Sequence, residues 1–334
     1  MTIATDIVVI GAGPAGLFTV FQAGMLKMKC HVIDSLEIIG GQCTALYPEK
    51  PIYDIPAHPK VLANDLIELL EAQANPFAPV YHLNQQVQTI VQNPDQTFIV
   101  STSKNNQIIC KAIVIAAGCG AFGPNRPPLA NLESYEGKSV FYAVKNKAEF
   151  ADKKVVIAGG GDSAVDWAIN LADIAKKIML VHRRDKFRCA PDSTDKLANL
   201  VKQGKVDLIT PYQLHSLQGE NGILQQVGVV DFSQKVLHLE ADYLLPFFGL
   251  AMELGPVAKW GLNLHKNHIA VNQTNMQTSQ TGIYAVGDIA HYPAKLKLIL
   301  TGFAEVASAC HDIFKIIFPD QIFHFEYSTS KGVN

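Results

Sequence analysis

The chain has 334 residues, 48% hydrophobic and 17% charged, with 28 Lys plus Arg against 30 Asp plus Glu for a formal net charge of −2. That length suits two domains, the apolar content excludes a disordered chain, and the charge balance leaves no global field to hold nucleic acid or an anionic membrane. No apolar run approaches the ~18 residues of a membrane span, and no Lys or Arg precedes Lys27, as a secretory signal would require, so the protein is expected in the cytoplasm.

In chain order, the first element is a β-branched run entering a glycine turn, DIVVIGAGPAG at residues 6–16. Leu17, Val20 and Phe21 follow at helical spacing, and HVID at 31–34 reads as a second strand. Residues 60–73 place Leu62, Leu66, Leu69 and Leu70 on one helical face. Residues 86–115 read as a three-stranded meander, QVQTIV, TFIVSTS and QIICKAIVI, with turns at Asn93-Pro94-Asp95 and Asn105-Asn106. The opening pattern then recurs. KVVIAGGGDSA at 154–164 is again a β-branched run, a glycine turn and a helical stretch with Val165, Trp167, Ala168 and Leu171, and IMLVHRR at 178–184 is its second strand. The copies close on similar runs, KAIVIAAG at 111–118 and ADYLLPFFG at 241–249, so the second copy is expected inside the first. TGIYAVGD at 281–288 predicts one more buried strand, residues 298–317 a further helix, and short hinges are expected near 121–128 and 247–250. The fold class this predicts is α/β, with two nested dinucleotide-binding, Rossmann-like, three-layer domains.

The glycine turns carry the chemistry. In G-x-G-x-x-G after a strand and before a helix, the first glycine makes the tight turn. The second lets a pyrophosphate reach the backbone, the third packs helix on strand, and the helix N-terminus supplies N–H donors. Gly11, Gly13 and Gly16, with Pro14 and Ala15 between, fit this pattern. Asp34, 18 residues past Gly16, would accept hydrogen bonds from a ribose diol and repel a 2′-phosphate. In the second copy Gly159, Gly161, Asp162, Ser163 and Ala164 form the turn, and its strand ends in His182, Arg183 and Arg184, with Arg188 beyond. Guanidinium forks there suit a 2′-phosphate. An adenine dinucleotide with a free ribose on one turn and NADP on the other points to FAD plus NADPH. Gly40-Gly41-Gln42 supplies a backbone-exposing turn, and Gly287-Asp288 puts a carboxylate near a flavin's ribityl and pyrophosphate portion.

These residues resemble the thioredoxin-reductase-like flavoproteins, and specifically their ferredoxin–NADP reductases of the bacterial second type. GGQCTALYPEKPIYDIPAHPK (40–60), AAGCGAFGPNR (116–126), GGGDSAVDWA (159–168), HRRDKFR (182–188), YAVGDIA (284–290), LKLILTGFAEVASA (296–309) and YSTSKG (327–332) carry the resemblance over nearly the whole chain. It implies an FAD-binding domain in two segments, 1–121 and 247–334, around an NADPH-binding domain at 122–246. It places Asp34, Gln42, Tyr47, Val87, Phe122, Asp288 and Thr329 at the FAD, alongside the Gly41 turn. Tyr47 is expected on one flavin face, Tyr327 on the other, and Ser328 and Thr329 beside it. It also implies a homodimer and a ferredoxin or flavodoxin as electron partner. Asp34 stands where the family more often has Glu, and Tyr327 where relatives have His or another aromatic.

Absences choose among related reactions. The six cysteines, at 30, 43, 110, 119, 189 and 310, include no C-x-x-C pair, which removes the thioredoxin reductase dithiol and a zinc site of that pattern. Cys43 is followed five positions later by Pro48, which removes the C-x4-C disulfide of glutathione reductases. Two alternatives stay open: a peroxide or oxygen reductase that oxidises Cys43 to a sulfenate, and a flavin sensor that does not turn over. The reductase reading needs no catalytic acid, base or nucleophile from the chain, and no metal ligand is expected.

Overall fold

The computed structural model describes residues 3–321. The chain divides into two compact units: unit 1 is Met1–Phe122 with Met252–Asn334, and unit 2 is Gly123–Ala251. The framing elements in chain order begin with β1 (Ile7–Ile10), α1 (Pro14–Met25), β2 (Cys30–Ile33), α2 (Ala63–Ala74) and β3 (Val80–His82). Then come β4 (Val87–Gln92), β5 (Phe98–Thr102), β6 (Gln107–Cys110) and β7 (Ala112–Ile115). Unit 2 supplies β8 (Lys154–Ala158), α3 (Asp162–Leu171), β9 (Lys177–Val181), α4 (Pro191–Lys202) and β10 (Val206–Ile209). It continues with β11 (Gln213–Glu220), β12 (Ile223–Val230), β13 (Val236–Glu240) and β14 (Tyr243–Pro246). Back in unit 1, β15 (Ile283–Ala285) precedes α5 (Ile299–Ile317).

Unit 1 has a parallel sheet in the order β15-β7-β1-β2-β3. Because side chains alternate along a strand, β1 feeds two cores. Ile7 and Val9 pack with Val20 of α1 and Val306 and Ile313 of α5. Val8 and Ile10 pack with Phe98, Val100 and Ile108 of the meander β4–β6. The result is three layers, helices over parallel sheet over antiparallel sheet. A strand covered on both faces must be apolar at every position, which is why IVVI shows no alternation.

Two details differ from the sequence expectation. The strand predicted over 107–115 is two strands: the Lys111 and Ala112 N–H groups both donate to Asp6 O, and the chain leaves the meander there to pair with β1. In α2 the buried stripe is Ala63, Leu66, Ile67, Leu70 and Ala74. Leu69, rotated about 100° from Leu70, is 51% exposed, and Leu62 precedes the helix.

Unit 2 repeats the plan with a parallel sheet in the order β10-β9-β8-β14. Val156, Ala158, Met179, Val181 and Leu244 pack against Leu224, Val227 and Val229 of the meander β11–β13. Helix α3 packs on β8 and β9, burying Ala164, Val165, Trp167, Ala168 and Leu171. Both units are therefore α/β dinucleotide folds, as the repeat in the sequence predicts. No helix among the described residues is long and apolar enough to cross a membrane.

Candidate functional site: a cleft at the strand ends of unit 1 and a basic turn in unit 2

Unit 1 carries a cleft of about 1370 Å³, its open mouth included, lined by residues just past β1, β2, β7 and β15. Carboxyl ends of parallel strands are where open α/β sheets place their ligands. The glycines divide the work there. Gly11 takes φ +109°, and a Cβ on it would lie 2.4 Å from Ala116 O. A Cβ on Gly16 would lie 1.9 Å from Gly11 O, so only glycine lets α1 close on the turn. Gly16 is accordingly packed behind the turn, whereas Gly11, Gly13, Pro14 and Ala15 line the cleft.

Gly13 and Gly41 (φ +59°) form a cradle. A Cβ on Gly41 would come 3.1 Å from Gly13 Cα, and one on Gly13 would meet nothing nearer than Gly41 at 3.9 Å. A side chain at Gly13 would thus project into the open space beside Gly41. No side chain caps α1 at Gly13, so the first-turn N–H groups remain available to an anion. A dinucleotide fits these residues.

Asp34 follows β2 directly and is 9% exposed. Its Oδ2 accepts the Ala12 N–H at 2.6 Å and its Oδ1 the Leu36 N–H at 2.8 Å. Burial pushes its pKa up, and the backbone donors pull against that. The carboxylate therefore braces the glycine turn and still keeps lone pairs for a ribose diol.

A single helical turn, Gln42–Ala45, leads to Tyr47, and Gln42, Cys43 and Tyr47 all line the cleft. Lys50 Nζ lies 5.9 Å from the Tyr47 ring centroid. Cys43 is 2% exposed, with Sγ 3.9 Å from Tyr47 Oη. Burial pushes its thiol up to about 11, so at neutral pH it carries its proton and is a poor nucleophile toward peroxide. Val87 and Asp288 also line the cleft, Asp288 from the 3-10 turn Gly287–Ile289 after β15.

Further lining residues escaped sequence reasoning. Gln85 is 8% exposed, its Oε1 accepting from Thr102 Oγ1 and Asn106 Nδ2. Nothing in its neighbourhood of glutamines marks it. Lys297, bonded to His268 Nε2 at 2.8 Å, does lie inside a distinctive segment, LKLILTGF. Phe122 is on the strand Ala121–Pro124, while Tyr327, Ser328 and Thr329 lie outside the described residues.

The glycine turn of unit 2 is built alike. A Cβ on Gly159 (φ +155°) would lie 2.6 Å from Phe247 O and 2.8 Å from Ala164 Cβ, the relation Gly11 and Gly16 have in unit 1. Gly161 caps α3 without a side chain, followed by Asp162, Ser163 and Ala164. Asp162 Oδ1 accepts the Ala190 N–H at 3.2 Å.

The His182 ring lies over Gly160, where a Cβ would come within 2.1 Å of it, and packs 5.2 Å from the Phe187 ring. It forms the floor beside the turn. The Arg188 N–H donates to Gly160 O at 2.7 Å, which brings the arginine loop back onto the turn. Arg183, Arg184 and Arg188 are exposed. Burial and then the charges of these three arginines push the His182 pKa down. Among the described residues no cluster of three or more His, Cys, Asp or Glu is arranged to hold a metal.

Known proteins share this architecture. The family model described as pyridine nucleotide-disulphide oxidoreductase matches residues 5–309. The protein of Rickettsia akari (strain Hartford) named ferredoxin–NADP reductase is 60% identical over 327 residues, 98% of each chain. Among solved structures, Lactococcus lactis thioredoxin reductase gives a TM-score of 0.81 at 23% identity, covering 94% of this chain and 99% of its own. Thioredoxin reductase of T. acidophilum gives 0.80 at 20% identity, covering 93% and 98%. At those identities the two structures speak to the fold alone.

Proposed function

The chain belongs to the pyridine nucleotide-disulphide oxidoreductase family and, within it, to the ferredoxin–NADP reductases, which work with a flavin and a pyridine nucleotide, and on that footing we propose that it is an FAD-dependent ferredoxin (or flavodoxin)–NADP reductase. The observation that carries the reading is the opposite chemistry of two equivalent strand ends. Asp34 follows β2 in unit 1, and Arg183 and Arg184 follow β9 in unit 2. The carboxylate accepts from a ribose diol and repels a 2′-phosphate, so unit 1 takes FAD. The guanidinium groups bind a 2′-phosphate, so unit 2 takes NADPH.

In the cleft, Gly13 and Gly41 leave room for the pyrophosphate, and the first turn of α1 donates N–H bonds to it. Tyr47 covers a ring face, and Gln42, Val87, Asp288 and Phe122 hold the remainder. The resemblance adds Tyr327, Ser328 and Thr329 at the flavin. Arg188 joins Arg183 and Arg184 at the NADPH ribose, while Gly159, Gly161, Ser163 and Ala164 shape the turn beneath the nucleotide. Bound FAD supplies the exchange between a two-electron hydride and single electrons. The chain's own part is to bind, orient and shield, and no acid or base is required. The same reading makes the protein a cytoplasmic homodimer.

The test is anaerobic, NADPH-driven reduction of cytochrome c with and without added ferredoxin or flavodoxin. A large carrier-dependent rate is expected. Bleaching of the FAD by NADPH with no gain from either carrier would sink the electron-partner assignment.

A further inference from the structure

One buried carboxylate is hydrogen-bonded to the turn that carries Asp288. Glu305 lies on α5, one helical turn past Gly302, where a Cβ would sit 3.5 Å from Gly287 Cα. The helix therefore runs against the Gly287–Asp288 turn. Glu305 is 3% exposed, and its Oε2 accepts the Gly287 N–H at 2.7 Å. Its Oε1 accepts the Tyr292 hydroxyl at 2.7 Å and pairs with Lys295 Nζ, whose side chain is 5% exposed. The Lys295 ammonium also lies 5.4 Å from the Tyr292 ring centroid.

A buried ion pair is seldom the most stable filling for such a space, since apolar residues of similar volume do as well or better. Packing alone thus gives no reason for Glu305. What an apolar side chain cannot supply is an acceptor for the Gly287 N–H. Gly287, at φ +72°, is the joint on which Asp288 is aimed into the cleft, and an N–H with no partner there would free that joint. Lys295 balances the charge that the acceptor brings, and Tyr292 fills its second oxygen.

We propose that Glu305 is a positioning residue for the flavin nucleotide, fixing Asp288 through the Gly287 N–H while Lys295 neutralises it. This rests on the reading of the unit 1 cleft as the FAD site. The experiment strips FAD from the wild-type protein and from two neutral double variants, then measures FAD binding by quenching of flavin fluorescence. In Glu305→Gln with Lys295→Met an acceptor for Gly287 remains. In Glu305→Leu with Lys295→Met it is gone, and neither variant buries an unpaired charge. The Leu/Met variant should bind FAD roughly tenfold or more weakly, the cost of an unmet buried N–H, and exchange its Gly287 amide faster. The Gln/Met variant should stay within about threefold of wild type, and any fall in the melting temperature of the FAD-free Leu/Met variant, from its unpaired Gly287 N–H and Tyr292 hydroxyl, should be too small to account for its lost binding. Equal FAD affinity in the two variants would overturn the proposal. So would a fall in the melting temperature of the FAD-free Leu/Met variant large enough to account for its lost binding, since Glu305 would then be a general stabiliser. Wild-type protein that takes up no FAD would instead fail the cofactor reading itself, and the positioning role with it.

Discussion

Asp34 and Arg183 stand one and two residues beyond corresponding parallel strands, and in the proposed function the difference between carboxylate and guanidinium assigns a nucleotide to each unit. Replacing Arg183 and Arg184 together by Ala should raise KM for NADPH by roughly 10- to 100-fold, the loss of one or two charge-assisted bonds. KM for NADH should hardly move, and flavin content should stay whole, so steady-state kinetics with both nucleotides checks the assignment. At Cys43 burial pushes the thiol up to about 11. Cys43→Ser should therefore keep carrier-dependent electron transfer within about twofold, because a protonated thiol contributes nothing a hydroxyl lacks. Loss of all turnover in that variant would revive the sulfenate chemistry. The identity of Asp34 and its distance from Gly16 were legible in the sequence, but its second task was not. Spacing along the chain does not reveal that Oδ2 reaches the Ala12 N–H, because that bond joins two turns brought together only by strand pairing.

Strand pairing also creates a pH-sensitive contact. Registering β2 beside β3 sets His31 Nδ1 2.9 Å from His82 Nε2, with ring centroids 5.1 Å apart. Burial lowers both pKa values, and His82 lowers that of His31 further. The unfolded chain takes up protons near pH 6.5, whereas the folded pair does so only at lower pH. Between those values the unfolded state binds more protons, so stability rises with pH in that window, is flat above about 6.5 and is lost below it. The urea midpoint should fall from pH 7 to pH 5 more steeply in wild type than in His31→Phe with His82→Leu. Parallel slopes would assign the acid sensitivity elsewhere. The elements around the two glycine turns were readable, whereas β3, α4 and the strands β10–β13 carry no turn motif that marks them in the sequence. The stripe of α2 was misjudged at Leu69 because leucine marks a helix equally well when it flanks the buried arc. The strand at 107–115 was read as one because nothing in QIICKAIVI announces that Asp6 O will capture two successive N–H groups.

For the whole molecule, the homodimer expectation is checked by sedimentation equilibrium, which should give twice the chain mass at micromolar concentration and no shift on adding FAD. A monomer would remove it. The sequence by itself determined that the chain holds two copies of one dinucleotide fold, that the second is inserted in the first, and that their strand ends carry opposite charge. Each of these is local: a glycine turn, an apolar run and a residue at fixed distance survive in one dimension because backbone sterics and side-chain alternation act over a few residues. Only the tertiary structure decided that Gly13 faces Gly41 across the cleft, that His182 packs over Gly160 and against Phe187, and that Glu305 reaches Gly287. Those contacts join segments of the chain that no short-range rule relates. They exist because burying two faces of each parallel sheet leaves few arrangements in which every polar group near the strand ends finds a partner.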